Sequence, residues 1–273
     1  MFEARQRRGL VGSAGSLLWL IHHNTVRTVR RSHRNAILSI GTNILQTVIM
    51  VGVFYVMFSL LGLRGMAIRG DFLLYIMSGI FLFMAHIKAM AAVVASEGPA
   101  SPMMQHLPMN TTVAIAAAAL SSLYISTLSM MLILSVYHLG WGPIEIYDPV
   151  GAYAMVLLAW FSGVSIGMVF LALKPWFPGF VGIASQLFQR ANMFASGKMF
   201  IANTLPATML AMFDWNPLFH AIDQARGFMF VNYNPHFSEI AYPIYVSVVC
   251  LVIGLMGESY TRKHASISWS AGR

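Results

Sequence analysis

Cysteine occurs once in the 273 residues, as Cys250, so an intrachain disulfide is impossible and no cysteine cluster can hold a metal. Charge is nearly as scarce: charged residues make up 10% of the chain, against about 25% in an ordinary globular protein. The nine acids are scattered, whereas a membrane enzyme acting on lipid-linked sugars would need carboxylates clustered at one membrane face. A phosphate-binding loop is missing, because the only Gly-Lys pair, Gly197-Lys198, is followed by Met199 and lies in an apolar stretch. The chain therefore cannot hydrolyse a nucleotide by that route. There is no His-Glu-x-x-His helix, and His22-His23 sits beside arginines that would repel a cation, so no metal site is expected. Ser121, Ser122, Ser126 and Ser129 have no evident His and Asp partners and read as helix-packing residues. No internal repeat is visible, which argues against a secondary transporter built from paired broken spans.

What is present is long charge-free sequence. No Asp, Glu, Lys or Arg lies between Glu97 and Glu145, nor in Asn35 to Leu63, Pro149 to Leu173 or Ile240 to Gly257. At about 1.5 Å per residue each run can cross a hydrocarbon layer of roughly 30 Å as a helix. The expected fold is an all-α integral membrane protein with six transmembrane helices near 36–63, 72–95, 112–138, 150–173, 179–201 and 241–258. The fifth carries Arg190 and Lys198, and residues 201–213, broken at Pro206, are a candidate re-entrant segment before the last span.

Seven of the 17 basic residues precede the first span: Arg5, Arg7, Arg8, Arg27, Arg30, Arg31 and Arg34. Arg262, Lys263 and Arg273 follow the last, so the positive-inside rule places both termini in the cytoplasm. The run Gly9 to Ile21 has the outline of a signal peptide, but Gly12, Ser13, Gly15 and Ser16 interrupt it and arginines follow. It reads better as a basic tail with an interfacial helix from about Ser16 to Arg34 on anionic lipid, which divides the chain into 1–34 and a single six-helix transmembrane domain, 35–273. The net charge of +8 is thereby assigned to membrane lipid, with no need of nucleic acid.

Three segments carry a likeness. Trp215-Asn216-Pro217-Leu218-Phe219-His220 runs on to Arg226, an aromatic loop, a last span and the basic end Tyr260-Thr261-Arg262-Lys263; Phe72-Leu73-Leu74-Tyr75 opens the second span; a basic stretch from Thr25 to Arg34 leads into the first. This pattern resembles the permease subunit of type-2 ABC exporters, in the branch that exports capsular polysaccharide and O-antigen. The resemblance implies a bacterial inner-membrane homodimer that moves polysaccharide or a lipid-linked glycan. It also implies separate nucleotide-binding ATPase subunits that hold the ATP and Mg, the chain itself being no enzyme and binding no cofactor. Exporters of drugs, lipids or teichoic acid in the same superfamily are the alternative.

Candidate site residues follow from this combination. Met103, Met104 and Leu107, on a short helix bounded by Pro102 and Pro108, would seat in the ATPase. Lys88, about a turn from His86, together with Arg190 and Lys198 about two turns apart, are ionisable groups within apolar spans and therefore candidates for the translocation path. Aromatic faces suited to sliding sugar rings are drawn from Phe54, Tyr55, Phe58, Tyr75, Phe81, Phe83, Trp160, Phe161, Phe188 and Phe194. Trp215, Asn216, Pro217, Asp223 and Arg226 form a gate segment, in which Asn216 caps a helix that starts with Pro217 and Asp223 can pair with Arg226.

Overall fold

The computed structural model describes residues 15, 19–26, 36–62, 71–96 and 111–264. Among these residues all regular structure is helical. The elements are α1 (Ala36–Leu60), α2 (Phe72–Ala95), α3 (Thr111–Gly140), α4 (Pro149–Leu173), α5 (Pro178–Ala195), a 3-10 turn (Ala202–Thr204), α6 (Ala207–Phe213), α7 (Pro217–Met229) and α8 (Ala241–His264). Five of them, α1, α2, α3, α4 and α8, are long and apolar enough to cross a membrane, and the chain is a multi-pass membrane protein. Residues 19–26 are also helical, with the Trp19 ring against His23; the rest of the expected interfacial helix, including Arg27, Arg30, Arg31 and Arg34, lies outside the described residues. So do Met103, Met104, Leu107 and Pro108.

Helix starts follow local chemistry. The Asp71 carboxylate accepts the Leu73 N–H (2.9 Å) and a bond from the Tyr137 hydroxyl, which ties the head of α2 to the tail of α3. Asp148 accepts the Val150 and Gly151 N–H groups at 3.0 Å each, and Pro149, whose missing N–H needs no partner there, occupies the first helical position.

The core is built on α2 and α4, which pack along their length; α8 and α7 lie on α4, while α1, α3 and α7 lie on α2. Accordingly 72% of the α2 span is buried, against 22% for α1 and α8. Midway, the buried His86 ring puts Nδ1 2.8 Å from the Ser162 hydroxyl and 3.2 Å from the Ala159 carbonyl. Trp160 donates from Nε1 to the Ala119 carbonyl (3.0 Å), so polar groups cross between helices where water is scarce. At the far end Thr111 donates to the buried Glu258, Lys174 Nζ donates to the Val94 carbonyl (2.8 Å), and Trp176 Nε1 donates to Thr261 (3.0 Å).

One expected span is shorter than its apolar sequence. α5 stops at Ala195, six residues before the end expected at 201. Its 18 residues extend about 27 Å at 1.5 Å per residue. Arg190 and Lys198 are consequently not two turns apart on one helix, since the chain leaves the helix between them. Lys88 and His86 also part company: two residues apart, they point to different sides of α2.

Close approach of α2 and α4 depends on Gly163, where a Cβ would collide with the His86 carbonyl. Gly163→Val should lower stability by about 1–3 kcal/mol as an overpacking change, measured by thermal unfolding in detergent, while Gly52→Ala, which meets nothing within 4 Å, should leave it nearly unchanged.

Candidate functional site

The densest set of buried polar groups gathers around α7. Asn216 caps it, its side-chain oxygen accepting the Leu218 N–H (3.0 Å) with Pro217 at the first position, as the Asn-Pro pair led one to expect. The same amide donates to Asn192 Oδ1 and to the Ala195 carbonyl, both at 2.9 Å, and so binds the head of α7 to the last turn of α5. At its other end, Asp148 N–H donates to the Phe228 carbonyl (2.8 Å) and Tyr147 N–H to the Met229 carbonyl (3.2 Å). α7 thereby bridges the end of α5 and the start of α4.

Between these anchors Arg226 is 1% exposed. Its Nη1 donates to the carbonyls of Gly197 (2.9 Å) and Phe200 (2.7 Å), its Nη2 donates to the carbonyl of Lys198 (3.0 Å), and its guanidinium lies 4.3 Å from the Tyr75 ring centre. The turn that supplies these carbonyls has Gly197 at φ +75°, a conformation favoured by glycine, and its backbone at Lys198 rests on Gly79 of α2 with no room for a Cβ there. A planar fork of donors fits several carbonyls converging from one turn better than an ammonium does.

Asp223 does not pair directly with Arg226. No ion pair joins them, because the guanidinium is occupied by the turn and the carboxylate accepts instead from the Tyr233 hydroxyl and from Ser238 Oγ (2.7 Å). Burial, then the neighbouring carboxylate, pushes the Tyr233 phenol above its ordinary range, so it stays protonated and donates. His220 completes the strip. Glu239 N–H donates to Nδ1 (3.0 Å), leaving Nε2 to donate to the Asp214 carbonyl (2.7 Å).

Lys198 points away from Arg226, its ammonium 3.3 Å from the Phe83 ring centre and 5.0 Å from that of Phe54; Nζ has no hydrogen-bond partner among the described residues. Asn216, Pro217, Asp223, Arg226 and Lys198 are thus brought together, while Trp215 stays at the rim, exposed, with its carbonyl accepting from the Tyr242 hydroxyl (2.7 Å). Other candidates lie apart. Trp160 joins α4 to α3, Phe188 packs near His86 and Phe170, Lys88 is partly buried on α2, and Arg190 is exposed on α5. Tyr75 was visible only as one of many aromatics. Asn192, Tyr233 and Ser238 carried no sequence signal, since nothing about them in isolation marks them as partners of Asn216 and Asp223.

Chemically the assembly pairs most of its donors and acceptors, Arg226 Nε and Lys198 Nζ being exceptions, and among the described residues no three His, Cys, Asp or Glu side chains converge to hold a metal. Because Arg226→Ala would leave three buried carbonyls without donors, it should cost about 3 kcal/mol or more. Arg190→Ala, at an exposed position, should change stability by no more than about 0.5 kcal/mol; denaturant titration of the purified protein in detergent reads both. No protein-family model matches the chain, and comparison with curated proteins gives no match either.

Proposed function

We propose that this protein is the transmembrane subunit of an ATP-driven exporter that moves capsular polysaccharide or a lipid-linked glycan across a bacterial inner membrane. In this reading two copies form the channel, α5 is the fifth of six spans, both termini are cytoplasmic, and a separate ATPase pair seats on the Met103–Pro108 loop. The observation that carries the proposal is the folding of Asn216 to Arg226. The residues that resemble the exporter family form a 13-residue helix, about 20 Å long and too short to cross a bilayer, packed inside the bundle on α2 and α4. A gate needs such a helix, fixed to the spans at both ends without being one of them.

The outer side of α5 supports the paired arrangement. Phe180, Ile183, Leu187, Arg190 and Phe194 recur at spacings of three and four on its exposed face, as in a helix seam. An arginine held at membrane depth is costly unless it meets a cavity or a partner, so Arg190 facing the channel between two copies resolves its position. Lys198, Lys88, Phe188 and Trp160 then belong to the walls and supports of the path.

The test is purification of the tagged chain from its native membrane in mild detergent, with cross-linking and mass spectrometry, beside surface-glycan staining of a deletion strain. Two copies of this chain with two nucleotide-binding subunits, and loss of surface polysaccharide on deletion, are expected. Unchanged surface glycan and no co-purifying ATPase after cross-linking would refute the reading.

A further inference from the structure

Three side chains of α7 grip the chain that leads into α8. His220, Asp223 and Gln224 share one face of the helix, being three and four residues apart. Asp223 accepts from the Tyr233 hydroxyl and from Ser238 Oγ (2.7 Å), and Gln224 donates to the Ser238 carbonyl (2.7 Å). His220 Nδ1 accepts the Glu239 N–H (3.0 Å), two residues before α8 begins at Ala241. This last hold differs from the others in that it exists only while Nδ1 carries no proton.

The buried His220 ring stands between two opposed demands. On one side the Glu239 N–H needs the lone pair of Nδ1. On the other, Nε2 lies 2.7 Å from the Asp214 carbonyl and 3.3 Å from Asp214 Oδ1, and a carboxylate at that distance favours an imidazolium. The Asp214 side chain is exposed, so the pair has access to water. Tyr242, in the first turn of α8, has its ring centre 4.7 Å from that of His220 and donates its hydroxyl to the Trp215 carbonyl. Glu239 is exposed and gives the ring its backbone N–H. Asp223, a turn further along α7, is taken up by Tyr233 and Ser238. Arg226 is committed to the 197–200 turn, and Lys198 to the rings of Phe83 and Phe54.

We propose that His220 is a proton-operated latch on the entry to α8: the neutral ring holds Glu239, and the protonated ring gives up that bond and pairs with Asp214. A protonated imidazole carries a hydrogen on both nitrogens, so Nδ1 would face the Glu239 N–H donor to donor. The hold is therefore present while the ring is neutral and is lost as pH falls through its titration, within the window of about pH 5 to 8 in which imidazoles charge. The bonds of Ser238 and Tyr233 to α7 persist, so the change is confined to the residues just before α8. The latch operates whatever the protein transports.

Hydrogen–deuterium exchange of the full chain in detergent, read on peptides spanning Glu239 and expressed relative to the intrinsic rate at each pH, tests it. Protection of the Glu239 amide should fall about fivefold or more between about pH 8 and pH 5, as one net hydrogen bond is lost. His220→Gln, which takes up no proton, should flatten the profile, whereas His236→Gln, at an exposed position in the same loop, should leave it as in the wild type. Asp214→Asn removes the partner of the charged ring and should move the midpoint to lower pH, a readout independent of how well the His220 variant folds. Protection that stays constant across this range, a fall that survives His220→Gln or disappears in His236→Gln, or a midpoint unmoved by Asp214→Asn would overturn the proposal.

Discussion

The guanidinium of Arg226 is what allows the chain to leave helical geometry inside the bundle. Backbone carbonyls freed from a helix need donors wherever water is excluded. At residues 197–200 three such carbonyls converge, and one side chain answers them all while its flat face rests on Tyr75. Because the turn ends α5 and the arginine sits on α7, the same bonds decide where α5 stops and where α7 lies. The Asn216 amide repeats this logic a few residues earlier, capping α7 while donating to Asn192 and to the final carbonyl of α5. The broken region is therefore held from α7, and α7 is held in turn by the start of α4 through Phe228 and Met229.

The two ends of the bundle are closed by different means. Around α7 the bonds run between side chains and irregular backbone; at the opposite end they run between helices, from Thr111 to Glu258, from Lys174 to Val94 and from Trp176 to Thr261. Between them lies a layer of small and branched apolar side chains, Ala89, Val93, Ile115, Ala119, Val164 and Met168. Its polar crossings are few, with His86 on Ser162 and Trp160 on Ala119 and Ser122. The two ends are therefore joined chiefly by the packed helices α2 and α4 rather than by hydrogen bonds.

Legibility in the sequence followed the type of signal. Runs without charge locate α1, α3, α4 and α8, and a run broken only by Lys88 locates α2, because an apolar run of that length has no other stable form in lipid. α8 extends to His264, past the expected 258, since the basic residues that end the apolar run continue the helix at the membrane surface. Asn216-Pro217 also spoke for itself, its cap being a local property. The end of α5 did not, because residues 196–201 carry no charge apart from Lys198, and the left-handed Gly197 marks the turn only in the structure. The spacing of Asp223 and Arg226 permits an ion pair, yet spacing says nothing of carbonyls 26 to 29 residues away that compete for the same guanidinium.

Lys198 shows what the turn costs. Its carbonyl faces Arg226, which directs its side chain the other way, onto the rings of Phe83 and Phe54. An ammonium over an aromatic face recovers part of what it loses with its water, and the position is sustained by the packing of the turn on Gly79 and by its bonds to Arg226. The turn is thus held by three carbonyl bonds from Arg226 and by its packing on Gly79, and it fixes the Lys198 side chain against Phe83 and Phe54.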